Sequence, residues 1–292
     1  MNQSWQIGDT RITRIEELTG PLFDPTQFFP DYQAEVFEKH RHWLYPNHCD
    51  EASGRIIASM HSWLIQTPHH NILVDGCIGD DKERMPYRNW HRMQTPWLAN
   101  FTAAGLAPED IDFVLCTHLH VDHVGWNTRL QDGKWVPTFP NAKYLFAKKE
   151  WEFWKGEYES GRDNAADGGS IADSVVPIVE AGKAELVEGD HQIDDELHLE
   201  PSPGHTPGHV FLHLQSSGKR AIMTGDIMHH PVQCSEPQWN SGFCVNPPES
   251  AATRRKFLET YSEQDVIVLA AHFLAPNGGR IVPNGETWKL QI

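Results

Sequence analysis

The six residues His118-Leu119-His120-Val121-Asp122-His123 constrain this chain more than any other feature. Three imidazoles and one carboxylate fall within one short stretch, with apolar residues between them. The preceding run, Ile111-Asp112-Phe113-Val114-Leu115-Cys116, reads as a buried strand, and Thr117 and Gly125 bracket the cluster as loop. The cluster therefore sits at the carboxyl end of a strand, where α/β folds commonly place their sites. Residues two apart on extended backbone face the same side, so His118 and His120 can bind one metal. The turn that follows can send Asp122 and His123 toward a second. A single histidine here would read as packed core; four ligand groups at this spacing read as a metal site.

Three further candidates each follow a strand-like run. His205 lies in the turn Ser202-Pro203-Gly204-His205-Thr206-Pro207-Gly208-His209. Asp226 follows Ala221-Ile222-Met223-Thr224-Gly225, and His272 follows Val266-Ile267-Val268-Leu269-Ala270-Ala271. A rigid sheet edge can hold several loops to the precision a metal site requires.

Elsewhere strands and helices alternate. Arg11–Ile15 reads as an early strand, and residues 20–31 as an irregular segment, because Gly20, Pro21, Pro25 and Pro30 interrupt Leu22, Phe23, Phe28 and Phe29. That segment either packs on the core or walls the substrate site. Ala34–Trp43 has helical character; His40, His42 and His48 lack a strand-end setting and read as solvated or packed. Ile56–Thr67 and Asn71–Asp75 form a hairpin through Pro68-His69-His70. Pro96–Ala104 is a helix between a Thr95 cap and a Gly105 stop. Lys143–Phe146 is a strand, followed by a helix carrying Trp151, Phe153 and Trp154. Gly156–Ser170 is the candidate mobile loop, and Ile171–Ala181 is helical. Leu197–Leu199, Val210–Leu214 and Ala221–Thr224 are strands, and Glu249–Tyr261 is a helix. No short-period repeat and no linker is visible. The expectation is one domain over 1–292, with an N-terminal extension of about 55 residues near the substrate pocket. Periodicity alone supports only mixed α and β.

The His118/His120/Asp122/His123 cluster, followed in order by His205, Asp226 and His272, resembles the metallo-β-lactamase-fold hydrolases over roughly Ile56 to His272. The segment Gly225-Asp226-Ile227-Met228-His229-His230 and the N-terminal extension are most similar to the N-acyl-homoserine lactonase and methyl parathion hydrolase branch. The resemblance implies an αβ/βα sandwich, two mixed β-sheets packed face to face with helices outside. It implies two divalent metal ions. His118, His120 and His205 would hold the first, Asp122, His123 and His272 the second, and Asp226 would bridge them. Zinc suits this imidazole-rich set, as do manganese, cobalt and iron. It also implies that a hydroxide bridging the metals attacks a small apolar ester or lactone, with Asp226, Asp122 and His229 as catalytic groups. No Gly-x-Ser-x-Gly elbow is present. The lactonases carry a tyrosine three positions after the bridging aspartate; this chain has His229, whose imidazole can also donate to an oxyanion. His209 is the natural partner for a ligand in its own loop. Phe23, Phe28, Phe29, Trp126 and Phe273 are the candidates for an aromatic pocket wall.

Other reactions stay open at this point: phosphotriester or thioester hydrolysis, and oxygenation at a single iron. The related flavodiiron oxidoreductases use a glutamate where this chain has His120, which counts against redox chemistry. A non-catalytic binding protein would be expected to have lost a ligand.

Net charge is −16, from 24 basic and 40 acidic side chains. Such a surface repels phosphate backbones and anionic lipid, so the expected partner is a small-molecule substrate, with no nucleic acid and no membrane; a homodimer is compatible. Five cysteines, Cys49, Cys77, Cys116, Cys234 and Cys244, are an odd number with no C-x-x-C pair, consistent with a reducing compartment. The first residues lack a basic start and apolar core, and no apolar run approaches spanning length. The expected location is the cytoplasm.

Overall fold

The computed structural model describes residues 2–162, 168–276 and 278–292. It divides into two compact units: Met1–Glu17 with Met60–His191, and Leu18–Ser59 with Gln192–Ile292.

The first unit is built on β1 (Ser4–Ile7), β2 (Thr10–Phe23), β3 (Ile56–Gln66), β4 (Asn71–Val74) and β5 (Phe113–Leu115). A small hairpin, β6 (Thr128–Gln131) with β7 (Lys134–Pro137), precedes β8 (Lys143–Ala147) and β9 (Ala184–Val187). The seven-stranded sheet runs β1-β2-β3-β4-β5-β8-β9. Its β4-β5, β5-β8 and β8-β9 pairs are parallel. Central parallel strands are buried on both faces and so carry unbroken apolar sequence, as in Ile72-Leu73-Val74 and Val114-Leu115. The register pairs Val74 with Leu115. Both chains leave the sheet at the same edge, so Asp75 emerges beside the run that becomes the 118–123 cluster. Trp97, Phe101, Trp126, Phe139, Trp154 and Ile171 fill the core on this sheet.

The second unit holds β10 (Leu197–Pro201), β11 (Val210–Ser216), β12 (Lys219–Met223), β13 (Ile267–Leu269), β14 (Gly278–Asn284) and β15 (Thr287–Gln291), in that spatial order. Only β12-β13 is parallel, with Met223 opposite Leu269. Asp226 and His272 each lie three residues past these partners, so one register places both at one sheet edge. The β10-β11 and β11-β12 pairs are antiparallel, which brings the 202–209 loop to that same edge. Within the loop Gly204 has φ +125°, and a Cβ there would lie 2.2 Å from Ser250 N. Only glycine fits.

Several expectations change. The segment after Gly20 is partly regular: β2 runs on to Phe23, and Pro25–Phe28 is one helical turn capped by Asp24. Pro21 is tolerated because β1 pairs only as far as Thr13. The helix expected at Ile171–Ala181 opens as a π-turn, Ile171–Val175, before Val176–Glu180 becomes α-helical. Pro177 has no N–H to give the Asp173 carbonyl. That carbonyl instead accepts from Thr128 Oγ1 at 2.5 Å and Lys82 Nζ at 3.3 Å. The Gly156–Ser170 loop is shorter than expected, since its first residues complete the helix Lys148–Glu159; residues 163–167 lie outside the described residues. β1, β6, β7, β9, β14 and β15 carried no clear period in the sequence. No helix among the described residues is long and apolar enough to cross a membrane.

Candidate metal centre

In the first unit, the cluster occupies the turn after β5 and a short helix, Val121–Val124. Asp75 organises it. Its carboxylate accepts from Thr117 N at 2.8 Å and from the Thr117 hydroxyl at 2.9 Å, and His123 Nδ1 lies 2.9 Å away. A carboxylate can only accept, so His123 carries its proton on Nδ1 and leaves the Nε2 lone pair facing the cluster. His118 is set the same way: its Nδ1 is 3.1 Å from Thr117 Oγ1, whose own proton is committed to Asp75. His118 Nε2 lies 3.0 Å from His120 Nδ1. Asp122 Oδ1 is 3.8 Å from His123 Nε2. Glu150, buried, accepts from Leu119 N at 3.0 Å and Trp154 Nε1 at 2.7 Å, and the Trp154 ring stands 5.3 Å from His120. Glu17 holds the neighbouring loop by accepting from Ile78 N, Gly79 N and Trp126 Nε1, at 2.9, 3.0 and 2.7 Å. Burial nevertheless pushes its carboxyl up to about 7.

Asp75, Glu150 and Glu17 were not singled out in the sequence. Asp75 does end a strand-like run, as the ligand candidates do, and that was the available signal. Asn at position 75 would keep an acceptor for Thr117 N and tolerate the local φ of 61°. It would present N–H to His123 Nδ1 and reverse that tautomer. Asp75→Asn is therefore expected to weaken metal binding by about 10–100-fold, read by chelator competition. Unchanged affinity would show that the Asp75–His123 pair does not set the ligand.

In the second unit, three imidazoles converge on Asp226. His205 Nε2 and His229 Nε2 lie 3.3 and 3.2 Å from Asp226 Oδ2, and His272 Nε2 lies 3.1 Å from Oδ1. All four side chains are buried. His272 has φ 49°, unusual for a non-glycine residue. It is clamped to Ser59, whose N–H donates to the His272 carbonyl at 3.0 Å while His272 Nδ1 lies 3.2 Å from the Ser59 carbonyl. Its proton is thus on Nδ1 and its Nε2 lone pair faces Asp226. His205 Nδ1 lies 3.5 Å from Cys244 Sγ, also directed away from Asp226. His209 has the opposite arrangement. Its Nε2 accepts from Asp226 N at 2.9 Å, and Nδ1 meets Ser202 Oγ at 2.6 Å. It anchors the Asp226 backbone and has no lone pair to offer a metal. His205, Asp226 and His229 bring ligand atoms within 4.8 Å of one another, as a bound ion requires.

The donor chemistry fits a metal in both units. His118, His123, His205 and His272 each engage Nδ1 away from their cluster, leaving Nε2 as the nitrogen donor directed into it.

The aromatic candidates separate. Phe28 stands 5.8 Å from the His229 ring, with Phe23 4.7 Å behind it. Phe29 is fully buried against Trp239. Trp126 lies in the core of the first unit, stacked on Trp97 at 4.8 Å. Phe273 lines a cavity of about 710 Å³ with Trp43, His48 and Leu290, which none of the residues meeting at Asp226 lines. His40 and His42 line that cavity too, and His40 is held by Glu236 at 3.2 Å.

Residues 60–272 match the family described as the Metallo-beta-lactamase superfamily. That span covers most of the sequence, and the chain belongs to this superfamily. Among curated proteins it is similar to the N-acyl homoserine lactonase of Bacillus thuringiensis, 22% identical over 172 residues, 58% of this chain and 58% of that protein. The N-acyl homoserine lactonase AttM of Agrobacterium fabrum is 29% identical over 176 residues, 58% and 61% of the two chains. The alignments thus span less than two thirds of these relatives. Among solved structures, the hydrolase AbOPH of the beta lactamase superfamily has a TM-score of 0.80 at 23% identity, covering 100% of this chain and 97% of that one. AidC, a dizinc quorum-quenching lactonase, has a TM-score of 0.80 at 18% identity, covering 99% and 96%. At these identities the likeness establishes the fold: the metallo-β-lactamase fold, with two mixed sheets and helices.

Proposed function

We propose that this protein is a metal-dependent hydrolase of small apolar esters or lactones that uses two divalent ions, zinc foremost. His118, His120 and His205 would hold one, Asp122, His123 and His272 the other, and Asp226 would be shared. The observation that carries the reading is the set of four imidazoles whose Nδ1 is tied back, by Asp75, Thr117, Ser59 and Cys244. Packed histidines have no need of such uniform orientation. The superfamily membership and the lactonase relatives support the same reaction class.

When bound, the ions supply a water acidified toward neutral pH and a Lewis acid for the scissile oxygen. The protein does the rest. Asp226, held through its backbone by His209, accepts and orients the proton of the attacking water. His229, on the Asp226 carboxylate, is placed to donate to the oxygen that gains charge. Phe28 packs beside His229 and favours an apolar acyl or alkyl group over a polar one.

The test is metal analysis of the purified protein with turnover of lactones, aryl esters, thioesters and phosphotriesters after zinc or manganese loading. Two ions per chain and hydrolysis of lactones or esters are expected. One iron with oxygen uptake would replace the reading by oxygenase chemistry. Phe28→Ala is expected to raise KM for apolar substrates several-fold with metal content intact. Equal loss on small polar and large apolar substrates would assign Phe28 to packing alone.

A further inference from the structure

The segment Ser241-Gly242-Phe243-Cys244-Val245 touches two imidazoles of the second-unit cluster, His205 and His229, and its role rests on the hydrolase reading above. Gly242 N donates to the Phe28 carbonyl at 2.8 Å, and Val245 N to the His205 carbonyl at 2.8 Å. Between these anchors, Phe243 is 38% exposed and Val245 43% exposed. The Phe243 ring stands 5.8 Å from Phe28 and 6.2 Å from Phe23, and Phe28 in turn meets His229. An apolar strip thus runs from solvent to an imidazole on Asp226. Phe243 stands in water at the end of that strip, and Val245, two residues on, is exposed as well.

The residues between them face inward. Cys244 Sγ donates to Ser250 Oγ at 3.4 Å, which leaves a sulfur lone pair for His205 Nδ1–H at 3.5 Å. Ser241 Oγ lies 3.5 Å from the same sulfur and 3.3 Å from His229 Nε2. One five-residue segment therefore presents apolar side chains outward and orients two imidazoles inward.

We propose that Ser241–Val245 is the specificity segment of the enzyme. Phe243 and Val245 receive the apolar chain of a substrate whose ester or lactone lies at Asp226, and Cys244 is a positioning residue that keeps His205 Nε2 directed at that carboxylate. Seating the chain on Phe243 steadies the backbone that orients His205, so chain length acts on turnover as well as on binding.

The test uses zinc-loaded protein and p-nitrophenyl esters from acetate to decanoate, with γ-butyrolactone and γ-decalactone as lactone counterparts. Phe243→Ala is expected to lower the decanoate-to-acetate ratio of kcat/KM about tenfold or more, with part of the loss in kcat. Cys244→Ala is expected to weaken zinc binding about tenfold in chelator competition, and Cys244→Ser, which keeps an acceptor, to recover most of it. A length-independent loss in Phe243→Ala, or wild-type zinc affinity in Cys244→Ala, would overturn the proposal. If no ester or lactone is turned over, the hydrolase reading fails. The segment is then judged by zinc affinity and by calorimetric binding of decanoate against acetate, which Phe243→Ala must selectively weaken.

Discussion

Asp226→Ala is expected to remove metal and abolish hydrolysis together. Asp226 is 2% exposed, and both its oxygens face imidazole nitrogens, His272 at 3.1 Å and His205 and His229 at 3.3 and 3.2 Å. Without the carboxylate, three imidazoles remain with no negative charge among them, a poor setting for a divalent cation. Losing a supporting partner of a metal ligand costs about 10–100-fold; losing the shared carboxylate itself should exceed that and leave only background turnover. His120→Ala tests the other cluster. Each variant should lower metal content and activity in step. Full metal content with near-normal turnover in either would show that the ligands are assigned wrongly. Parallel unfolding curves for the variants and the wild-type apo-protein would keep a metal effect separate from a folding failure.

What was legible in the sequence follows from how local each feature is. His118, His120, Asp122 and His123 are neighbours in the chain, and His205, Asp226 and His272 each end a strand-like run, so residue type and position were enough. Asp75, Glu150 and Cys244 could not be found that way. Asp75 meets His123 because β4 and β5 are parallel in a register that pairs Val74 with Leu115. Glu150 reaches Leu119 from a helix some 30 residues on, and Cys244 reaches His205 from a loop of no regular period. These are tertiary facts. The Pro21 strand and the π-turn at Ile171 were missed for a related reason. Local propensity argues against both. Pro21 is tolerated where β2 has run past its β1 partner, and the Asp173 carbonyl freed by Pro177 is satisfied by Lys82 and Thr128, far away in sequence. Trp126 shows the converse. Its position beside the cluster suggested a pocket wall, whereas its ring stacks on Trp97 and its N–H is bonded to Glu17.

His229→Ala is expected to lower kcat by about two to three orders of magnitude, the usual scale for one lost oxyanion donor, while metal content stays whole. Burial holds the His229 imidazole below its ordinary pKa, so it is neutral at pH 7 and has one proton to give. That proton is on Nε2, which faces Asp226 at 3.2 Å and Ser241 at 3.3 Å, whereas Nδ1 is buried with no hydrogen-bond partner among the described residues. The single N–H is therefore aimed at the point where the imidazoles converge. The same proximity admits a competing role, because His205, Asp226 and His229 lie close enough to share an ion. Metal content separates the two. A donor leaves it unchanged, and a ligand takes metal away with activity. His229→Tyr adds a second discrimination, since a phenol reaches further and cannot replace imidazole as a neutral nitrogen ligand. If His229 is the donor, the tyrosine variant keeps its metal and shifts preference from aryl esters toward lactones. Wild-type turnover of His229→Ala on every active substrate would remove the imidazole from the reaction altogether.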